Sequence, residues 1–204
     1  MPTPTPTPTP APAGVAPPPG ADCSLDVGGA TTAYETCYRL DASGGLMPAA
    51  IYLAPTAATM RVALRSAPGA ADRWLGFSVA GPLSLMADAD SVLAWPCSAG
   101  MCAGAFNLGN AYQPPGFSPR LKNMTLVGAP VAAVDAAGVA TLQFEMEWRA
   151  GWGAAIETSY AAGPMSALAT GVLGLREHEI EDTPAMELAR GGTMLCEGDC
   201  LLGV

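Results

Sequence analysis

Two carboxylates stand two residues apart in the stretch "LMADADSVLAW", at Asp88 and Asp90, directly before an apolar run. Paired carboxylates can act as general acid and base, and they can also supply oxygen ligands to a calcium ion. Acids at positions i and i+2 of a loop are more often solvated or calcium-like than catalytic. The spacing therefore favours a polar or calcium-like loop over acid–base catalysis.

The other residues that could support catalysis are sparse. The single histidine, His178, lies in "LREHEIED", and the chain contains no G-x-S-x-G sequence, so a hydrolase triad is not indicated. Glycine-rich loops with the spacing needed to hold a phosphate are also absent from the sequence. These patterns favour a binding domain over a catalyst.

Six cysteines form an even set with three sequence-local pairs, which is typical of a disulfide framework in an oxidising compartment: Cys23, Cys37, Cys97, Cys102, Cys196 and Cys200. Fifteen connectivities are open, although Cys97 with Cys102 and Cys196 with Cys200 would each close a short loop. A zinc site is disfavoured, because the spacings are not C-x2-C and only one histidine is present. We expect three disulfides.

The charge balance bears on partners and location. Eighteen acids stand against nine scattered bases, giving a net charge of −9, so no nucleic acid partner is expected.

The longest uncharged stretch in the second half, 158–175, is broken by glycine and proline and does not predict a membrane span. The start of the chain lacks an apolar signal region, so we expect a fragment or a mature form. Asn123 in "NMT" is an N-glycosylation sequon, consistent with secretion.

The chain begins with a low-complexity arm. Residues 1–22 alternate proline with threonine or alanine, which favours an extended polyproline II spacer. In composition the arm is similar to the linkers of extracellular matrix and cell-wall glycoproteins, and an unmodified disordered tail is the alternative. We place the domain boundaries at 1–22 for this linker, 23–182 for a globular domain and 183–204 for a short helix with a cysteine-containing tail.

Apolar residues after Cys23 recur mainly with period two, in short segments separated by Gly, Pro, Asp and Ser. The predicted strands cover 36–41, 49–54, 59–66, 73–80, 91–95, 124–134, 140–148 and 153–162. "LQFEMEW" at 142–148 alternates cleanly and indicates a half-buried strand. The pattern predicts an all-β fold, an antiparallel β-sandwich spanning about 33–165. Only "TPAMELAR" at 183–190 is interpreted as a helix, with Thr183 as its N-cap.

The order of motifs in "TMRVALRSAPGAADRWLGFSVAGPLSLMADADSVLAW" resembles a DOMON domain, the β-sandwich family that includes the cytochrome domain of cellobiose dehydrogenase and auxin-responsive extracellular b-type cytochromes. The residues that match the family pattern are Leu64, Trp74, Gly76, Phe77, Ser78, Met86, Asp88, Asp90 and Trp95, followed by Tyr160, Gly163, Pro164 and His178. The resemblance covers about residues 33–180. The interval between Pro164 and His178 is longer than the family pattern implies.

The resemblance implies a cofactor site. In haem-binding members, one methionine and one histidine ligate a non-covalent haem b from opposite faces, and by position these are Met86 and His178. Trp74, Phe77 and Trp95 would wall the pocket. With both axial positions filled, the iron has no open site, which implies electron transfer. Without the family context, methionines and tryptophans in a sandwich are most often core residues.

Two functions are therefore open. The first is a secreted haem b electron-transfer domain, extracellular or at the cell surface, whose partner is an extracellular redox protein or a matrix or cell-wall glycoprotein. The alternative is a non-redox extracellular module for adhesion, carbohydrate binding or matrix assembly. The absorption spectrum of the purified protein discriminates between the two.

Overall fold

The computed structural model describes residues 23–39, 48–69, 71–79, 88–108, 118–164 and 186–196. They form thirteen strands and one 3₁₀ turn, Ala150–Trp152. The strands are β1 Ser24–Val27, β2 Ala30–Ala33, β3 Thr36–Arg39, β4 Pro48–Pro55, β5 Thr59–Ser66, β6 Arg73–Val79, β7 Asp90–Cys97, β8 Gly100–Asn107, β9 Val131–Val134, β10 Ala140–Glu147, β11 Ala155–Pro164, β12 Met186–Ala189 and β13 Met194–Cys196.

Two antiparallel sheets form a sandwich. The five-stranded sheet has the order β3-β4-β5-β10-β9, and the six-stranded sheet has the order β13-β12-β11-β6-β7-β8. Side chains from both inner faces form one hydrophobic cluster, in which Phe77 of β6 contacts Phe144 of β10 with ring centroids 5.4 Å apart. The predicted antiparallel β-sandwich is confirmed.

Strand β10 shows how the sequence alternation produces the core. Leu142, Phe144 and Met146 are buried inside the sandwich, whereas Glu147 is exposed and Glu145 is partly exposed. Successive side chains of a strand point to opposite faces, so this alternation buries one face and leaves the other in water. The half-buried strand predicted from "LQFEMEW" is confirmed.

A separate hairpin covers the outer face of the five-stranded sheet. Strands β1 and β2 pair through a two-residue turn at Gly28 and Gly29, whose φ values of 61° and 87° suit glycine in a tight hairpin. A disulfide between Cys23 and Cys37 ties the hairpin to β3. Leu25 packs beneath the hairpin in a second hydrophobic cluster with residues of β3, β4 and β5. This hairpin was not among the predicted strands.

The helix prediction over 183–190 is wrong for the residues that the structure describes there. Met186–Ala189 is strand β12, which pairs with β11 and with β13. Leu188 is buried in the core and Glu187 is exposed, so four residues of alternating polarity fit a sheet position better than an isolated helical turn. Sheet pairing with β11 overrides the helix propensity of Met, Glu and Leu.

Other boundaries also differ from prediction. Within the predicted strand 124–134, only Val131–Val134 forms a strand, and Leu126 makes an isolated bridge to Met146. Strand β8, Gly100–Asn107, was not predicted, because "GMCAGAFN" has few β-branched residues and two glycines. Among the described residues, no helix is long and apolar enough to cross a membrane.

Candidate functional site

Several apolar residues lie on the outer face of the six-stranded sheet, where they do not belong to the core between the two sheets. Strand β6 alternates, so that Leu75, Phe77 and Val79 enter the core while Trp74 and Gly76 project to the other side. Trp74 is only 7% exposed, yet it does not belong to the cluster between the sheets. We call this surface the outer platform; it comprises Trp74, Gly76, Ser78, Ser91, Leu93, Trp95, Gly104, Phe106, Ser159, Ala161 and Gly163.

Strand register places small residues around one leucine in the middle of the platform. Gly76 pairs with Ala161 on one side and with Leu93 on the other, and Leu93 pairs in turn with Gly104. A Cβ added at Gly76 would lie 2.8 Å from Cδ2 of Leu93, so the leucine side chain occupies the space over the glycine. Glycine in a strand interior commonly marks such a close approach.

The two tryptophans also lie over glycines. A Cβ at Gly163 would approach Nε1 of Trp74 to 2.6 Å, so the indole lies directly on the β11 backbone. A Cβ at Gly104 would lie 3.0 Å from Cη2 of Trp95, whose ring centroid is 6.0 Å from that of Phe106. The glycines let the aromatic rings lie flat against the sheet and form a shallow apolar layer.

A row of serines borders this layer. Ser78 pairs with Ser159 across β11 and with Ser91 across β7, and the hydroxyls of Ser78 and Ser91 share a hydrogen bond of 2.5 Å. All three serines are buried, and Ser91 is only 1% exposed. The outer platform therefore has a buried hydroxyl side and an aromatic side on which Trp95 and Phe106 remain partly exposed.

One polar atom of the platform finds no partner in the described part of the chain. Nε1 of Trp74 is buried and donates no hydrogen bond to any described residue, whereas Nε1 of Trp148, at one end of the sandwich, donates to the carbonyl of Gly153 at 3.3 Å. A buried tryptophan N–H usually finds an acceptor, because leaving it unpaired costs free energy. A ligand that brings an acceptor oxygen to this side of the sheet would satisfy the indole.

The predicted pocket walls are only partly brought together. Trp74 and Trp95 both lie on the outer platform, on neighbouring strands of one sheet. Phe77 is fully buried on the opposite face of β6, in the core, so it shares no wall with the tryptophans. The alternation of β6 corrects this part of the prediction, and Leu93 and Phe106, which were not predicted, occupy the platform instead.

The predicted axial ligands, Met86 and His178, lie outside the described residues. Met86 falls in 80–87, which links β6 to β7, and His178 falls in 165–185, which links β11 to β12. These four strands are neighbours in the six-stranded sheet, whose outer face is the platform.

The side chains of Asp88 and Asp90 both contact other residues of the protein. Asp90 is fully buried at the start of β7, where its carboxylate accepts hydrogen bonds from the backbone N–H groups of Lys122, Asn123 and Met124, and from Nδ2 of Asn107 at 2.8 Å. The side chain of Asp88 forms an ion pair with Lys122. These contacts leave the Asp90 oxygens committed to the protein, which disfavours both a calcium site and acid–base catalysis there.

The sequon residue Asn123 belongs to the same network. Its Nδ2 donates to the carbonyl of Asp88 at 2.7 Å, and that carbonyl also accepts from Nδ2 of Asn107 at 2.9 Å. Asp88 has a φ of 62°, an uncommon conformation for a residue with a side chain, and the two amides hold it there. Glycosylation of Asn123 remains a prediction.

Two of the three expected disulfides are present in the described part of the chain, Cys23–Cys37 and Cys97–Cys102. The side chain of Cys196, and all of Cys200, lie outside it. Both observed bridges suit an oxidising compartment. Within the described ranges, no group of three or more His, Cys, Asp or Glu side chains is arranged to hold a metal ion.

A second concave region lies beside the β1–β2 hairpin. This groove has a volume of about 590 Å³ and is lined by Asp26, Arg65 and Asp135, among others. Asp26 accepts from the hydroxyl of Thr31, and Asp135 accepts from the backbone N–H groups of Ala137 and Val139, both at 2.9 Å. Since both carboxylates already have intramolecular partners, the groove is a weaker candidate than the platform.

Comparisons with known proteins give a limited result. No family model matches the chain, and no curated protein matches it. Among solved structures, the chain is similar to the cytochrome domain of Myriococcum thermophilum cellobiose dehydrogenase, with a TM-score of 0.46 and 16% sequence identity over 86% of this chain and 84% of that one.

Proposed function

We propose that this chain is a secreted electron-transfer domain that binds non-covalent haem b against the outer platform, with Met86 and His178 as axial ligands. One observation carries the proposal: the six-stranded sheet has an apolar outer face that is largely buried, and both ligand candidates fall in sequence between strands of that sheet. Ligands from two connections of one sheet could reach a group held over that sheet.

The described residues fit the flat, apolar part of such a group. Trp74, Leu93, Trp95 and Phe106 offer aromatic and aliphatic surface, and the glycines beneath keep that surface low against the backbone. Planar aromatic cofactors are usually bound by apolar and aromatic side chains, with a few polar groups that fix their orientation. The buried serine row and the unpaired Nε1 of Trp74 supply those polar groups.

Haem also carries carboxylate groups that need donors. The Trp74 indole N–H is a buried donor without an acceptor, and a propionate oxygen is an acceptor of the required kind. Pairing the two would remove the cost of the unpaired N–H. In this proposal Trp74 both packs against the macrocycle and orients it.

The chemistry follows from the ligand set. When bound through methionine and histidine, haem b supplies a one-electron couple with no open coordination site, and thioether ligation raises its reduction potential. The contribution of this chain is to hold the ligands and to exclude water from the platform, where Ser91 and Leu93 are already buried. Low solvent access around a cofactor also affects its potential.

The partner would be an extracellular redox protein or a matrix or cell-wall glycoprotein, with residues 1–22 as the tether. The two observed disulfides are consistent with an oxidising location. The acidic balance of the chain, with a net charge of −9, gives no reason to expect nucleic acid as a partner.

Absorption spectroscopy of protein produced with an ample haem supply tests the proposal. We expect a Soret band, conversion of six-coordinate low-spin iron to a five-coordinate or high-spin form in Met86→Ala, and loss of most haem in His178→Ala. Imidazole is normally the stronger ligand, so its loss costs more. Met101→Leu and Met165→Leu are controls, and a spectral change in either of them instead of Met86→Ala would show that the ligand assignment is wrong.

The platform can be tested separately from the ligands. Ala161 lies beside Gly76 on the platform, and Ala133 lies on the outer face of the other sheet; both are partly buried. Ala161→Leu should weaken haem binding by filling the platform, whereas Ala133→Leu should not. If the protein stays colourless after reconstitution, the non-redox module for adhesion, carbohydrate binding or matrix assembly becomes the better explanation.

A further inference from the structure

Charge is distributed unevenly between the two ends of the sandwich. The described loops 34–35, 56–58, 88–89, 118–126, 148–154 and 190–193 lie at one end and contain four bases and two acids, although the whole chain has twice as many acids as bases. The loops at the opposite end, 28–29, 67–69, 71–72, 98–99 and 135–138, contain two acids and no base. We call the first group of loops the basic end; its bases are Arg120, Lys122, Arg149 and Arg190.

Two of these bases are held in place by the backbone. Arg149 donates from Nη1 to the carbonyl of Lys122 at 2.9 Å, and Arg190 donates from Nη2 to the carbonyl of Ala57 at 2.6 Å. Among the described residues, neither guanidinium has a carboxylate partner. Each has N–H groups left to offer, since a guanidinium carries five donors. A fixed, exposed and uncompensated arginine is suited to bind an anion.

One turn connects these two arginines. Residues 149–154 join β10 to β11, and the N–H of Trp152 donates to the carbonyl of Arg149 at 3.1 Å. At the other side of the turn, the N–H of Arg190 donates to the carbonyl of Ala154 at 2.9 Å. The turn therefore fixes the backbones of Arg149 and Arg190 relative to each other.

Trp152 adds an aromatic surface between the charges. Its ring packs edge-on against the buried Trp148, with centroids 5.5 Å apart, and the residue remains partly exposed. A Cβ added at Gly151 or Gly153 would meet nothing within 4 Å, so the chain on either side of Trp152 is open to solvent. A partly exposed indole beside uncompensated cations provides a stacking surface together with charge.

We propose that the basic end binds an anionic polysaccharide whose sugar rings carry carboxylates, with a ring against Trp152 and the carboxylates paired to Arg149 and Arg190. Arginine pairs with carboxylates in a bidentate manner, and an indole offers a flat apolar surface to the C–H face of a sugar ring. An acidic polypeptide would satisfy the arginines but would make no specific use of the open indole. This inference does not depend on haem binding.

Binding of oligogalacturonate to the whole chain, measured by calorimetry at low ionic strength, tests the proposal. We expect Arg149→Gln and Arg190→Gln each to weaken binding about fivefold, between the effect of an exposed ion pair and that of a charged hydrogen bond. Trp152→Ala should weaken binding as well, and raising the salt concentration should weaken it further. Arg65→Gln, on a different part of the surface, is the matched control and should bind normally.

Two polymers related to the ligand serve as controls. The methyl-esterified oligosaccharide has the same rings without the charge, and polyglutamate has the charge without the rings; both should bind more weakly than the acid form. Equal binding of polyglutamate would replace the polysaccharide with an acidic polypeptide and overturn the proposal. Equal binding of the ester, no binding of any ligand, or an effect of Arg65→Gln equal to that of Arg149→Gln would also overturn it. Unfolding temperatures of the variants separate misfolding from lost binding.

Discussion

The buried carboxylate of Asp90 offers the sharpest test of how this fold is held together. It joins the start of β7 to residues 122–124, a segment with no regular strand of its own, through three backbone N–H groups and the amide of Asn107. Asp90→Ala removes the acceptor of all four donors. Asp90→Asn keeps one carbonyl oxygen in nearly the same shape and removes the charge.

The magnitude follows from which donors water can reach. The N–H of Met124 and the amide of Asn107 are buried, whereas Lys122 is exposed and Asn123 is partly exposed. Two lost buried hydrogen bonds to a charged group, at about 1.5–3 kcal/mol each, predict a loss of about 3–6 kcal/mol for Asp90→Ala. This is a large part of the total stability of an ordinary domain, about 5–15 kcal/mol. Asp90→Asn should cost about 1–3 kcal/mol, because one oxygen still accepts.

Chemical denaturation and hydrogen exchange measure both parts of this prediction. The free energy of unfolding should fall in the order wild type, Asp90→Asn, Asp90→Ala, and the amide proton of Met124 should lose protection in the alanine variant. Asp26→Asn is the control, since Asp26 is exposed and should change stability by about 0.5 kcal/mol or less. If both Asp90 variants behave like Asp26→Asn, the network is not stabilising and the assigned role of Asp90 is refuted.

Two further predictions rest on single contacts and on burial. Gly163→Ala should cost about 1–3 kcal/mol, because the new Cβ would lie 2.6 Å from Nε1 of Trp74, whereas the open Gly151→Ala should be near neutral; equal melting temperatures would contradict the assigned packing. Burial raises the pKa of Tyr34 and that of Tyr160 to about 12 from the ordinary value of 10. The folded chain thus holds both protons more tightly, so the contribution of these two tyrosines to the free energy of unfolding should be constant below pH 10 and decline between about pH 10 and 12. Denaturation across that range checks it, and a decline unchanged by replacing both tyrosines with phenylalanine would show another cause.

Strands β5 and β10 were predicted from the contrast between their two faces. In β5 and β10, apolar residues alternate with residues such as Arg61 and Glu145, which form an ion pair of 3.3 Å on the outer face. A polar outer face makes period two visible, so the prediction succeeded there. Strand β1 alternates as well but has only four residues, and β2 and β8 are rich in small residues.

The helix error has a different origin. "MELA" in β12 contains strong helix formers, and only its position next to β11 makes it a strand. The pairing joins residues about 30 positions apart, as with Thr158 and Met186, and no local pattern reports it. The same long-range pairing places Gly192 beside β3, where its carbonyl accepts from the hydroxyl of Thr36 at 2.9 Å.

The sequence predicted only part of the candidate site, because β6 is buried on both faces. "RWLGFSV" has no polar alternation from Trp74 to Val79, so composition indicated that Trp74 and Phe77 are buried but not which of them faces the core. Their spacing along the strand places them on opposite faces. Gly76 gave the available signal, since a glycine inside a strand indicates a close approach, and it marks the face that Trp74 and Leu93 share. Gly104 and Gly163 mark the same face, but neither lay in a predicted strand, so their signal became usable only when the pairing of β8 and β11 was known.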